Sequence, residues 1–199
     1  PRTLKKSKRE MPLEEDIKKA EKQPENMFQL FAYLLLYTGC RRGEALALTW
    51  DDIDFDNNLI YINKQLQFQS NKPVIENFTK SKAGIRTVPM LENLRAALLP
   101  FKKNSGYVFS VNRNLLTSKQ FRDGWKSLGF SSTPHQFRHA YATTLYNAKI
   151  DAKTAQSLLG HSSVSVTLDV YTHISKNVAN SAKEQLNNYI SQSKISQKS

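Results

Sequence analysis

The stretch from Pro134 to Tyr171 limits the possible folds more than any other part of this chain. Thr133-Pro134 offers a hydroxyl cap and a proline for a first helical turn, so a helix begins there. Asp151 caps a second helix, which Gly160 ends, and 165–172 reads as a short third helix carrying Tyr171. On the first helix, Phe137, Ala140, Tyr141, Thr144 and Leu145 recur at spacings that bury one face, leaving His135 and Arg138, one turn apart, on the other. A proton carrier beside a fixed positive fork suits an anionic ligand. An isolated His-x-x-Arg is more often a solvated helix face, so the pair needs support from elsewhere in the chain.

At 199 residues the chain suits one domain with a real core, and its single cysteine, Cys40, rules out both an internal disulfide and a cysteine-built zinc site. Stability must come from packing. Basic residues outnumber acidic ones by 29 to 17, a net charge of +12, which points to a polyanionic partner, with nucleic acid ahead of a membrane surface. There is no apolar run long enough to span a bilayer and no visible secretory signal, so the expected location is cytoplasmic.

Residues 1–10 form a basic, core-poor arm, and the abrupt basic start without Met suggests a longer parent protein. A short helix opens at Leu13, with acids first and lysines 18, 19 and 22 toward its end. Met27 to Tyr37 lacks Gly and Pro and reads as a buried helix that stops before Thr38-Gly39. The spacing predicts a strand at Leu59–Ile62 and two more at Val74–Phe78 and Ile85–Val88, these last joined as a hairpin through Thr79 to Gly84. Helices are expected at Leu91–Lys103 and Thr117–Leu128, with a brief strand at Tyr107–Ser110. The fold class is therefore α+β, mainly α-helical, with helices packed on a small antiparallel sheet or hairpin, over residues 11–190. A polar tail follows from 191 to 199.

Three further features carry chemistry. Gly39-Cys40-Arg41-Arg42-Gly43-Glu44 places a glycine break before a helix start, so that an arginine can be aimed by the backbone and Glu44, one turn on, can pair with it. Lys80 and Lys82 lie on one face of the expected hairpin, and spacing does not choose between them. The acids of Trp50-Asp51-Asp52-Ile53-Asp54-Phe55-Asp56 lack the glycine and distal glutamate of a calcium loop, so no metal site is assigned.

Taken in order, the blocks Thr38–Leu46 with Leu48–Asp54, Thr79–Lys82 with Arg86–Pro89, His135–His139, and Leu158–His161 through Tyr171–His173 resemble the catalytic domain of the tyrosine recombinase family of phage and transposon integrases. The resemblance implies that Arg41 and Arg138 clamp a scissile DNA phosphate, that Lys80 sits on the hairpin, that His135 and His161 flank the phosphate and that Tyr171 is the nucleophile. It selects Arg41 over Arg42 and Lys80 over Lys82. Cys40 stands where the family more often has an aliphatic residue, and Gly43 where serine is frequent. The family's N-terminal core-binding domain has no counterpart in this stretch.

The implied chemistry is self-consistent. Attack on a phosphodiester builds charge on the equatorial oxygens, and guanidiniums can neutralise it. A phenol of pKa about 10 needs a proton acceptor, for which His135 is suited. A departing 5′-oxygen needs a proton, for which Lys80 is suited. No cofactor is required, because a 3′-phosphotyrosyl bond conserves the energy of the bond broken. The expected partner is double-stranded DNA, with four copies acting on two duplexes in the full recombinase and this stretch alone a monomer. Two other readings compete: a helix-turn-helix DNA binder over Asp151–Tyr171, and a metal-free nuclease using His135 and His161 or a relaxing type IB topoisomerase. His139 and His173 are assigned structural roles.

Overall fold

The computed structural model describes residues 11–78 and 84–176, together with 179, 183 and 186. It contains helices α1 (Glu14–Ala20), α2 (Met27–Thr38), α3 (Arg42–Ala47), α4 (Glu92–Leu98), α5 (Ser118–Ser127), α6 (Pro134–Asn147), α7 (Ala152–Leu159) and a helix over 164–176, here α8. Seven short strands accompany them: β1 (Ile53–Asp54), β2 (Leu59–Ile62), β3 (Lys64–Gln69), β4 (Lys72–Asn77), β5 (Arg86–Pro89), β6 (Ser110–Val111) and β7 (Asn114–Leu115). The α+β, mainly helical class holds. No helix among the described residues is long and apolar enough to cross a membrane.

α2 is the axis of the core. Asn26 caps it, accepting from the N–H groups of Phe28 and Gln29 at 3.0 Å, and Gly39 stops it in the left-handed region at φ 62°. Leu30, Phe31, Leu34 and Leu35 are fully buried, each stabilising the fold by roughly 1.5–3 kcal/mol. Phe31 meets Phe109, Phe121 and Trp125 edge-on, and Trp125 passes the contact on to Phe130 and Phe137. Phe137 belongs to α6, so this aromatic chain seats α6 against α2.

α6 faces two cores. Phe137 and Ala140 belong to the large one around α2, while Tyr141, Ala142 and Leu145 pack with Ala155 and Leu159 of α7 and with Val170 and Ile174 of α8. Thr144 of the expected apolar face is exposed, and Arg138 of the expected polar face is buried. The second core is the reason: α7 and α8 cover what a two-layer reading leaves open. At the start of α6 the cap also differs in detail, since the Gln136 side chain accepts from the Thr133 N–H at 2.7 Å and from its hydroxyl at 3.0 Å.

The sheet pairing corrects the expected hairpin. β4 pairs with β3, and β5 pairs with β2 in a three-stranded sheet of order β1-β2-β5. The two-residue turn Ser70-Asn71, with φ of 47° and 67°, closes β3–β4 as a primed hairpin turn does. β3 (KQLQFQ) is mostly polar, so alternation gave no sign of it. Its backbone is gripped from α3: a Cβ on Gly43 would lie 2.6 Å from the Leu66 carbonyl oxygen. A serine at position 43 would displace the hairpin, which accounts physically for glycine there. Cys40 is fully buried and acts as a small apolar residue, its thiol pKa pushed up by burial. The expected helix to Lys103 ends at Leu98 and tightens into a 3-10 turn over Leu99–Phe101, since Pro100 lacks the N–H to continue it.

Two acids of the loop after Trp50 are held by nearby donors. Asp54 accepts from the N–H groups of Asp56 and Asn57, and Asp52 accepts from Thr49 and pairs with Lys64.

Candidate active site

Gly39 ends α2 and the chain turns at once into α3, which puts Arg41 at the N-cap of α3. Glu44, one turn on, reaches back and accepts from the Arg41 N–H at 2.7 Å and from its Nη1 at 2.6 Å. The expected Arg41–Glu44 pair is present, but a third group dominates it. Arg86 of β5 binds the same carboxylate with both arms of its fork, Nη2 to Oε2 at 2.7 Å and Nη1 to Oε1 at 3.0 Å. The Glu44 side chain is fully buried, those of Arg86 and Arg41 being 5% and 42% exposed. Arg41 is thus the member of the cluster that a ligand can reach. The second arginine of the pair, Arg42, turns away and lays its guanidinium over Phe68 and Phe121.

Burial alone would raise the Glu44 carboxyl, but the hydrogen bonds and charge of Arg86, reinforced by Arg41, hold it at about 2. Its folded pKa therefore lies below the ordinary 4.5, so the stabilisation is complete above that pH and is lost as pH falls toward 2. We expect about 3 kcal/mol to vanish across this window, at about 1.4 kcal/mol per pKa unit. Denaturant unfolding of Glu44→Gln at a series of pH values should show a flatter curve between 4.5 and 2 than the parent; parallel curves would contradict this assignment.

Arg138 enters from α6. Its Nη1 donates to the Gly39 carbonyl at 2.6 Å and its Nη2 to the Leu159 carbonyl at 2.5 Å. Around it the end of α7 is bound by three guanidiniums on successive carbonyls: Arg86 Nε on Leu158 (2.7 Å), Arg138 Nη2 on Leu159, and Arg41 Nη2 on Gly160 (2.6 Å). A helix ends with unpaired carbonyls and a partial negative charge, so this end can gather cations that would otherwise repel. Gly160 has φ 66°, and a Cβ there would lie 2.7 Å from Arg86 Nη1, so glycine is needed for both backbone and space. Burial, with Arg41 next and Arg86 further off, presses the Arg138 pKa down to about 9, which leaves it charged at neutral pH.

Arg41, His135, Arg138 and His161 line one cavity of about 230 Å³ whose apolar wall includes Leu159, Val166 and Val170. That volume suits a compact anionic group better than a bulky organic ligand. His139 lines it too, its ring edge-on to His135 at 4.6 Å, so the wall includes a histidine that the sequence reading left outside the site. His161 Nδ1 lies 2.9 Å from Thr167 Oγ1, which fixes its ring. A neighbouring cavity of about 420 Å³ shares Arg41, His135 and Arg138 and continues past Arg42 to Gln65 and Gln67 of β3.

One expected residue, Tyr171, is not brought to this cavity, and a second cannot be placed relative to it. Lys80 lies in 79–83, outside the described residues. Tyr171 is on α8 directly after the cavity-lining Val170, and a one-residue step turns it about 100° away. Its hydroxyl donates to the Ile150 carbonyl at 3.1 Å and its ring meets Tyr146 edge-on. Burial raises its pKa, with Asp151 adding to the shift. In this conformation Tyr171 is a neutral donor turned toward α6 and α7. Arg86 is the site residue that the sequence reading missed; a lone arginine between Ile85 and Thr87 in a strand carries no spacing signal.

Comparison with known proteins places the assembly. The phage integrase family profile matches residues 9–178, most of the chain. This chain belongs to the phage integrase family. Among relatives of this integrase-family chain, a XerC-like tyrosine recombinase of Caldanaerobacter subterraneus subsp. tengcongensis is 31% identical over 87% of the chain and 53% of its own length. The transposase from transposon Tn916 of Enterococcus faecalis is 29% identical over 77% of the chain and 44% of its own. The chain thus spans about half the length of these relatives. Among solved structures, the Tn1549 transposon integrase in complex with circular intermediate DNA aligns with a TM-score of 0.69 at 24% identity, over 88% of this chain and 67% of that one. XerA recombinase aligns at 0.62 and 26%, over 92% and 66%. The fold is that of tyrosine recombinase catalytic domains.

Proposed function

We propose that this chain is the catalytic domain of a site-specific DNA recombinase that cuts and rejoins strands through a 3′-phosphotyrosyl intermediate, in the integration and excision of a mobile element. The observation that carries it is the convergence of Arg41, His135, Arg138 and His161, from three separate parts of the fold, on one small cavity. Arg41 and Arg138 take the non-bridging oxygens, and His161, oriented by Thr167, adds a further hydrogen bond. The Tyr171 hydroxyl gives its proton to His135 and attacks phosphorus. The bond from phosphorus to the 5′-oxygen breaks as Lys80 protonates that oxygen. A 5′-hydroxyl from a second strand then reverses the step. Tyr171 must first leave the Ile150 carbonyl, so DNA or a neighbouring copy has to move α8.

Two known structures support the partner: the Tn1549 integrase is bound to circular intermediate DNA, and XerH recombinase to its palindromic difH substrate after cleavage. For this chain we infer double-stranded DNA, with four copies on two duplexes in the complete recombinase. The net charge of +12 and the cationic path from the cavity toward β3 fit a DNA backbone. A plain helix-turn-helix binder fits less well, because α7 has its last carbonyls bound by three guanidiniums and α8 turns Val166 and Val170 into the cavity.

The test is a randomised pool of nicked duplexes in which cleavage releases a short fragment and blocks rejoining. A denaturant-resistant protein–DNA adduct is expected, with the attachment mapping to Tyr171. Strand cleavage without an adduct would indicate a nuclease, and binding without cleavage a simple DNA binder; either would overturn the proposal.

A further inference from the structure

The clamp reading leaves one buried charge without a task. Arg86 is 5% exposed, faces no cavity described above, and yet has every arm of its guanidinium engaged. Nε holds the Leu158 carbonyl at 2.7 Å, Nη2 holds Glu44 Oε2 at 2.7 Å, and Nη1 holds Glu44 Oε1 at 3.0 Å and the Gly84 carbonyl at 3.3 Å. We propose that Arg86 is a positioning residue for strand cleavage: it fixes Glu44, and through Glu44 the Arg41 guanidinium, and ties both to the end of α7. The inference rests on the reading of Arg41 as a phosphate clamp.

One carboxylate is shared between two guanidiniums. Glu44 accepts from Arg41 twice and from Arg86 twice. A buried carboxylate needs full compensation, and when one partner is lost the remaining one is drawn onto it. Without Arg86, Glu44 would claim the Arg41 guanidinium whole, withdrawing the one group of the cluster that reaches the cavity. With Arg86 in place the carboxylate is already matched by a bidentate fork, and Arg41 keeps donors for Gly160 and for a ligand. Lysine cannot substitute, being a point donor without the planar fork that spans Glu44 and Leu158 together.

Arg86 also stands where the three-stranded sheet meets the helices. It opens β5, two residues beyond Gly84, whose carbonyl it holds, and the segment carrying Lys80 ends just before that glycine. One side chain therefore joins the strand leading out of the Lys80 segment, the α3 cap that aims Arg41, and the helix end that seats Arg138. A residue with only a packing role would lower stability and leave the remaining machinery to act independently. A positioning residue should lose its effect once Arg41 is already impaired.

The experiment is a double-mutant cycle of Arg86→Lys against Arg41→Lys, reading single-turnover cleavage of a nicked duplex at saturating DNA, with DNA affinity and thermal unfolding measured alongside. Arg86→Lys is expected to slow cleavage by roughly 10- to 100-fold with affinity within about threefold, and to add less than about threefold in the Arg41→Lys background. Cleavage by Arg86→Lys at the parent rate, or a full multiplicative loss in the double variant, overturns the proposal while leaving the clamp intact. Parent-rate cleavage by Arg41→Lys sinks the clamp reading and this inference with it. Should Arg86→Lys fail to melt cooperatively, Glu44→Gln with Arg86→Gln, which removes both buried charges, decides: slow cleavage that Arg41→Lys does not deepen supports the proposal, and parent-rate cleavage refutes it.

Discussion

Replacing Tyr171 by Phe is expected to abolish the covalent protein–DNA adduct, lowering cleavage by roughly 10⁴-fold or more, as loss of an attacking nucleophile does. Binding should survive. The substitution removes one oxygen, hydrogen-bonded to the Ile150 carbonyl at 3.1 Å, and keeps the ring that meets Tyr146. Loss of that bond costs about 1 kcal/mol of stability, too little to unfold the domain. The cavity loses nothing, because Tyr171 does not line it in this conformation. Affinity for duplex DNA should therefore stay within about threefold of the parent while the adduct disappears. The measurement is a gel of denatured complexes beside a filter-binding curve at fixed salt. An adduct from the Phe variant would place the nucleophile elsewhere, and a parallel loss of binding would mean that Tyr171 serves the fold or the DNA contact instead.

How much of this could be read from the residues depends on how local each determinant is. The stops at Gly39 and Gly160 were legible because a left-handed helix end needs glycine, and they sit at φ 62° and 66°. The start at Asp151 was legible for the same kind of reason: its carboxylate accepts from the Lys153 and Thr154 N–H groups at 3.0 Å. The Arg41–Glu44 pair lies within one helical turn and was expected on spacing. What escaped is set by partners distant in sequence. Arg86 meets Glu44 and Leu158 only once β5 is laid beside β2 and α7 docks. β3 pairs on a polar sequence because Ser70-Asn71 turns tightly and α3 presses on its backbone. The burial of Arg138 follows from the second core, which no pattern within α6 announces. The face that Tyr171 takes on α8 depends on whether α8 packs by Val170 and Ile174, a choice made by α6 and α7.

Arg138→Lys is expected to lower cleavage by roughly 10³-fold at saturating DNA, the scale seen when a preorganised cation is withdrawn from phosphoryl transfer. The free protein holds this guanidinium at a loss: it is buried beside Arg41 and Arg86, with two carbonyls as partners and a pKa pushed down to about 9. Because its folded pKa is lowered from 12.5 to about 9, the group stays charged at neutral pH at a cost to folding, and that cost is relieved only as pH rises above about 9. On the proposed reading, an entering phosphate supplies the missing counter-charge against a guanidinium that is itself buried, where the attraction is stronger than in bulk. The gain grows as the transition state gathers negative charge, so the loss on substitution should fall on the cleavage rate rather than on affinity. Lysine keeps the charge but not the fork that spans Gly39 and Leu159 while facing the cavity. Alanine is the poorer test, since it leaves two buried carbonyls unpaired at about 1–3 kcal/mol each and confounds rate with folding. Cleavage by Arg138→Lys within about threefold of the parent would show that Arg138 serves to hold α7 against α2 and takes no part in the chemistry.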